Sequence, residues 1–207
     1  MAVVLPFPAD LPALSPSPRL LVLGDVDALS HGLAEGSGCS RASDERVWAV
    51  LEQVMLTASS LGSRRCPVRW AASSATARCH LDLMTRSANN VWSIRRVLDG
   101  AGHVLLEELN HLTAATISAN RKSAGRPADL VILIALGHIY APAIRQLRLL
   151  GVPTWVLQPG RFIAADLYKA AAAVTRLAPP RWRREPDTAP GSLAPQGGYR
   201  DGHRTGA

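Results

Sequence analysis

The run "DLVILIA", Asp129 to Ala135, restricts the fold more than any other stretch of the chain. Leu130 to Ile134 are all aliphatic, so an extended segment here has no polar face. Such a strand needs cover on both sides, which is the situation in a parallel sheet packed between layers of helices. The run breaks at Gly137-His138, and the following helix carries Pro142 in its first turn. Ala143, Ile144, Leu147 and Leu150 fall on the inward face of that helix, with Arg145 and Arg148 toward solvent.

The rest of the chain reads as repetitions of this unit. "RLLVLGD" (Arg19 to Asp25) is a short buried strand, and "SDERVWAVLEQVMLTASSL" a helix capped by Ser43 with Val47, Val50, Leu51, Val54, Ala58 and Leu61 on one face. "PVRWAAS" from Pro67 reads as a second strand and "NNVWSIRRVLDG", with Asn89 and Asn90 at its start, as a helix ending at Gly100. "HVLLEEL" from His103 reads as a third strand, followed by a polar helix through "NHLTAATISANRK". "DLVILIA" is the fourth strand, "PTWVLQ" the fifth, and "AADLYKAAAAVTRL" a last helix. The expectation is an α/β fold, an open three-layer domain around a mainly parallel sheet of five strands.

At 207 residues, 47% of them hydrophobic, the chain can bury one substantial core. Residues 1–18 are proline-rich and aperiodic and read as an extended lead-in, 19–177 as the folded unit, and 178–207 as an Arg/Pro/Gly-rich tail too poor in aliphatics to order itself. No apolar run reaches the roughly 18 residues of a membrane span, and the start lacks a basic n-region, so the expected setting is soluble and cytoplasmic. The formal charge of +7 is almost all arginine, since Lys122 and Lys169 are the only lysines; polyanions are suitable partners. Cys39, Cys66 and Cys79 are odd in number and widely spaced, which argues against a disulfide framework or a structural zinc site.

In a doubly wound sheet the site lies beyond the carboxyl ends of the strands, where the winding reverses. Strand one places Gly24, Asp25 and Asp27 there, strand two Ser73 and Ser74, strand three Glu107 and Glu108, and strand four Gly137 and His138. Paired carboxylates at such an edge can hold a hard divalent ion, which prefers oxygen ligands; the alternative is a turn cap at Asp25 and a solvated Asp27. His138 is suited to acid–base work or to helix capping, and Asp129, at the amino end of its strand, to a structural role. No G-x-G-x-x-G follows strand one, no Walker A lysine motif is present, and no G-x-S-x-G elbow supports a hydrolase triad.

The segment "ADLVILIALGHIYAPAIRQLRLLGVPTWVLQPGRFIAADLYKAA" resembles the carboxyl half of NYN domains, the PIN-like family of metal-dependent ribonucleases. "LVLGDVDAL" is similar to the family's first strand, with Asp25 in the place of the leading metal-binding aspartate. The likeness spans about residues 19–177. It implies Asp25, Asp27 and one of Glu107 or Glu108 as ligands of Mg²⁺ or Mn²⁺, with Asp25, Asp27, Glu108 and His138 as the catalytic set. Arg121, Lys122, Arg126 and Arg161 would then contact an RNA backbone, whose binding is salt-sensitive.

The sequence departs from the family where Leu136-Gly137-His138-Ile139-Tyr140 replaces its paired aspartates, and where Ala28 holds a position usually taken by asparagine. Losing those carboxylates lowers affinity for a hard cation. The expectation is therefore a metal-dependent endoribonuclease or a reduced-activity RNA-binding relative, with a homodimer as an allowed assembly. Two other classes fit the residues: a small-nucleotide binder seated on "LGDVD" and the Gly137 turn, and a protein-interaction module with an exposed apolar patch.

Overall fold

The computed structural model describes residues 4–35, 38–62, 66–88, 93–98 and 100–177. Its centre is the expected pair of apolar segments, β1 (Leu20–Asp25) and β4 (Leu130–Ile134), lying side by side and parallel with Val22 opposite Ile132 and Gly24 opposite Ile134. β2 (Val68–Ser73) and β3 (Ile94–Val97) extend the sheet on one flank, β5 (Thr154–Gln158) and β6 (Ala173–Arg176) on the other. The order is β3-β2-β1-β4-β5-β6, with every neighbouring pair parallel. The chain thus winds outward from β1 to β3, crosses back, and winds outward again from β4 to β6. That reversal puts the switch point between β1 and β4.

Strand alternation divides the core into two layers. Val22, Trp70, Ile132, Ile134, Trp155 and Leu157 face one side, against α1 (Val26–Ala34) and α2 (Asp44–Ser60). Leu23, Ala71, Val131, Leu133 and Val156 face the other, against α5 (Ala101–Arg121), α6 (Ala141–Leu149) and α7 (Ala165–Ala170). The short helices α3 (Ser74–Cys79) and α4 (Leu81–Ala88) fill the connection from β2 to β3. Gly24 is dictated by the first layer: a Cβ there would lie 1.9 Å from Trp70 Cε3. β1 therefore reaches its carboxyl end only because this position has no side chain.

The sheet has six strands where five were expected, and its middle third is assigned differently. "HVLLEEL" is helical, part of the 21-residue α5. Its buried Leu105, Leu109, Leu112 and Thr116 follow the helical spacing, and the three-residue apolar run was too short to distinguish the two periods. The helix expected over "NNVWSIRRVLDG" gives way to the edge strand β3, with Ile94 and Val97 buried and Arg95 and Arg96 exposed; Asn89 and Asn90 lie outside the described residues. "AADLYKAAAAVTRL" splits at Ala171–Ala172 into α7 and β6, because the second half pairs with β5.

The proline-rich lead-in has no helix or strand in residues 4–18, yet Leu5 and Leu11 are buried in the first layer, and Leu5 N–H donates to Thr57 Oγ1 at 2.9 Å. Among the described residues, no helix is long and apolar enough to cross a membrane.

Candidate functional site at the carboxyl edge

β1 runs into α1 without a loop, and Asp25 is the N-cap, accepting from Ala28 N–H at 2.9 Å through Oδ1. Its other oxygen accepts from Tyr140 O–H at 2.9 Å. Tyr140 closes the 3-10 turn His138–Tyr140 beyond β4, so the two loops on either side of the switch point are in contact. Gly102, in the first turn of α5, makes that contact possible: a Cβ there would lie 2.8 Å from Ile139 Cδ1 and 3.2 Å from the Tyr140 oxygen.

Burial pushes the Asp25 carboxyl above the usual carboxylate range. The Ala28 and Tyr140 hydrogen bonds pull against that rise, and the charge of Asp27 adds to it. The Tyr140 hydroxyl is raised by burial first and then by the facing Asp25, so it stays a donor. Asp27 bridges the neighbouring strand: its Oδ1 accepts from Ser73 N–H at 3.0 Å and Ser73 Oγ–H at 3.1 Å, and its Oδ2 lies 3.5 Å from the Ala101 nitrogen at the start of α5. The two aspartates are thus the fastening points for four segments that end at this edge.

Of the residues expected here, Asp25, Asp27, Ser73, Ser74, Gly137 and the exposed His138 do occupy the carboxyl edge. Glu107 and Glu108 do not. They sit on α5, about 10 Å along it from Ala101, with Glu107 exposed and Glu108 3.6 Å from Arg69 Nε. Glu108 and His111 of α5 line a cleft of about 270 Å³ with Leu20, Pro67 and Ala128, which mark the amino ends of β1, β2 and β4. The assignment failed with the misread strand: a strand would have ended at the carboxyl edge, whereas the helix starts there and leads away from it.

Hard-cation sites gather several oxygen anions. Among the described residues, no three histidines, cysteines or acids stand together as a metal-holding group. The donors around Asp25 and Asp27 are neutral hydroxyls and backbone N–H groups, which supply hydrogen bonds to the carboxylates and no further negative ligand.

The basic residues expected to contact an RNA backbone are divided between the two edges. Arg121 and Lys122 end α5 on the way to β4, at the amino edge. Arg126 is also there, donating to Gly151 O at 2.8 Å in the turn before β5. Arg161 follows β5 at the carboxyl edge, where its backbone N–H donates to Glu35. Asp129 has its structural role at the amino edge: Arg19 contacts it through the backbone N–H at 2.8 Å and through Nε and Nη2 at 3.3 and 3.1 Å.

Sequence spacing missed one buried constellation. Ser30, His80 and Asp44 form a chain in which His80 Nε2 lies 2.7 Å from Ser30 Oγ and Nδ1 contacts Asp44 Oδ1. The carboxylate can only accept, so Nδ1 carries a proton toward it, while Nε2 and the serine hydroxyl share the second hydrogen bond. Asp44 also accepts from Leu83 N–H at 2.9 Å. Ser30 is fully buried inside α1 and His80 nearly so, which makes this a strut between helices with no approach for a substrate. The three residues are 14 and 36 positions apart, so no local motif marks them.

No protein-family model matches the chain, and no curated protein matches it. Among solved structures, a protein of unknown function from Vibrio parahaemolyticus is similar over 80% of this chain and 96% of its own, at 14% identity and a TM-score of 0.46.

Proposed function

We propose that this chain is an NYN/PIN-like domain with a reduced nuclease site, acting as an RNA-binding protein with little or no metal-dependent cleavage. The observation carrying this reading is the Tyr140–Asp25 hydrogen bond at 2.9 Å. It joins the acidic end of β1 to the turn where such nucleases have further carboxylates, and what that turn contributes is a neutral phenol. A carboxylate raised by burial and already serving as helix cap and phenol acceptor is a weaker ligand for Mg²⁺ or Mn²⁺ than a free acidic cluster. The exposed His138 at the same edge can donate a hydrogen bond to a phosphodiester.

The small-nucleotide reading has less support. The Asp25 carboxylate occupies the N-cap of α1, the place where a free helix terminus would receive a phosphate. The cleft beside β1 lies at the strand's amino end, away from "LGDVD".

The test is incubation of labelled structured RNA with Mg²⁺ or Mn²⁺ and either wild type or Asp25→Asn, with binding measured in parallel. The expected result is retarded, intact RNA with both proteins. Metal-dependent cleavage by wild type that disappears in Asp25→Asn would replace this reading with that of an active endoribonuclease.

A further inference from the structure

Past the carboxyl ends of β2 and β3 the fold collects groups that the aspartate pair does not use. Ser74 Oγ–H donates to Val97 O at 3.2 Å, and the same oxygen accepts from Arg96 Nε at 3.2 Å. On the next residue, Ala75 O accepts from Arg41 Nη1 at 3.0 Å. Two guanidiniums from distant parts of the chain, one on the loop between α1 and α2 and one on edge strand β3, are therefore anchored on consecutive residues at the start of α3.

Each guanidinium has five N–H donors. Among the described residues, Arg41 and Arg96 each commit one hydrogen bond to this anchor, and neither is in an ion pair. Arg96 is exposed and Arg41 half-buried. Two like charges held on adjacent anchors repel each other, and an anion with several acceptor oxygens offsets that cost while using the remaining donors. The nearby carboxylate of Asp27 is occupied by the N–H and hydroxyl of Ser73.

We propose that Arg41 and Arg96, anchored on consecutive residues at the start of α3, form a phosphate-binding site for the RNA backbone. The proposal rests on the RNA-binding reading and moves the backbone contacts away from Arg121, Lys122 and Arg126. Those cations lie at the amino edge, with the sheet between them and Asp25. Their anchors, Ser74 and Ala75, directly follow the Ser73 that holds Asp27, so a strand anchored at Arg41 and Arg96 lies at the carboxyl edge.

The test is fluorescence anisotropy of a labelled single-stranded RNA titrated with the full chain between 50 and 200 mM salt. The variants are R41A/R96A, the charge-preserving R41K/R96K, and R121A/K122A/R126A, each checked for folding by circular dichroism. R41A/R96A is expected to weaken binding about tenfold or more at the low salt and to reduce the log–log salt slope by about 1.4, the release expected for two phosphates of a single strand. R41K/R96K should keep the slope, and the amino-edge triple variant should bind within about twofold of wild type. Unchanged binding by R41A/R96A, or a loss confined to the amino-edge variant, overturns the site assignment and leaves the RNA reading intact. Failure of wild type to bind at all overturns the RNA reading and the assignment with it. Inorganic phosphate competing beyond chloride of equal ionic strength would assign the site to a free phosphate instead.

Discussion

Asp25 and Asp129 are the same side chain under opposite electrostatics. Asp25 is raised above its ordinary 3.8 chiefly by burial, so between that value and its folded one the native state holds more protons than the unfolded chain. Stability on this account falls as pH rises through the window, and the penalty is present in full above it. Burial also acts to raise Asp129, but the hydrogen bonds and charge of Arg19, helped by Arg126, hold it lower overall. Its contribution is complete above 3.8 and is lost as pH falls through the folded value. Asp25→Asn should therefore raise the urea midpoint at neutral pH, with the gain shrinking in acid. Asp129→Asn should lower the unfolding free energy by about 0.5 kcal/mol, as for a partly exposed pair, with the deficit shrinking in acid. Midpoints at pH 7 and pH 4 check the first, and midpoints carried down to about pH 2.5 check the second; a gain for Asp25→Asn that survives in acid would show that burial of its charge is not the cause.

At the scale of elements, the Ser30–His80–Asp44 strut is the polar tie of the first helix layer. It connects α1, the first turn of α2 and the junction of α3 with α4, where Asp44 satisfies the Leu83 N–H. Removing the imidazole leaves a buried hydroxyl and a carboxylate without their partner and opens a void. His80→Ala is expected to cost about 3 kcal/mol in urea unfolding, and Ser30→Ala about 1 kcal/mol. Because Ser30→Ala keeps the Ser30 carbonyl that accepts from Ala42 N–H, beside Arg41, and leaves the Arg41 anchor on Ala75 untouched, RNA affinity per folded molecule should be unchanged in this variant. The same scale explains the misread middle third. A three-residue apolar run in "HVLLEEL" fits either period, and only packing of Leu105, Leu109 and Leu112 against the sheet selects the helix.

For the whole molecule, an all-parallel sheet separates functions by edge. Segments leaving strands meet at one end, where Asp25, Asp27, Ser73, Tyr140 and the anchored arginines lie; segments entering strands meet at the other, with the Arg19–Asp129 pair and the cleft at Glu108. Stability should follow the same geometry. β1, β4 and β5 are bordered on both sides and fully covered at β4 and β5, whereas β3 and β6 are four-residue edges. Native-state hydrogen exchange should find the greatest protection in Leu130–Ile134 and Thr154–Gln158 and the fastest strand exchange in Ile94–Val97 and Ala173–Arg176. Equal protection across the six strands would indicate a single cooperative unit without weaker edges.

What the sequence determined by itself is whatever local pattern decides. "DLVILIA" has no polar face and had to be a covered strand, and "RLLVLGD" had to deliver Asp25 to a strand end. The meeting of residues near 25 and 138 also followed, because strand order in a doubly wound sheet places both loops at one edge. Tertiary structure alone decided the rest. Whether Glu108 reached the acidic edge depended on a helix whose period is fixed by the surface it packs on, and the anchoring of Arg41 and Arg96 depended on residues 34 and 22 positions away. Hydrogen bonds between segments so far apart leave no periodic trace in a chain, since their spacing is set by the sheet between them.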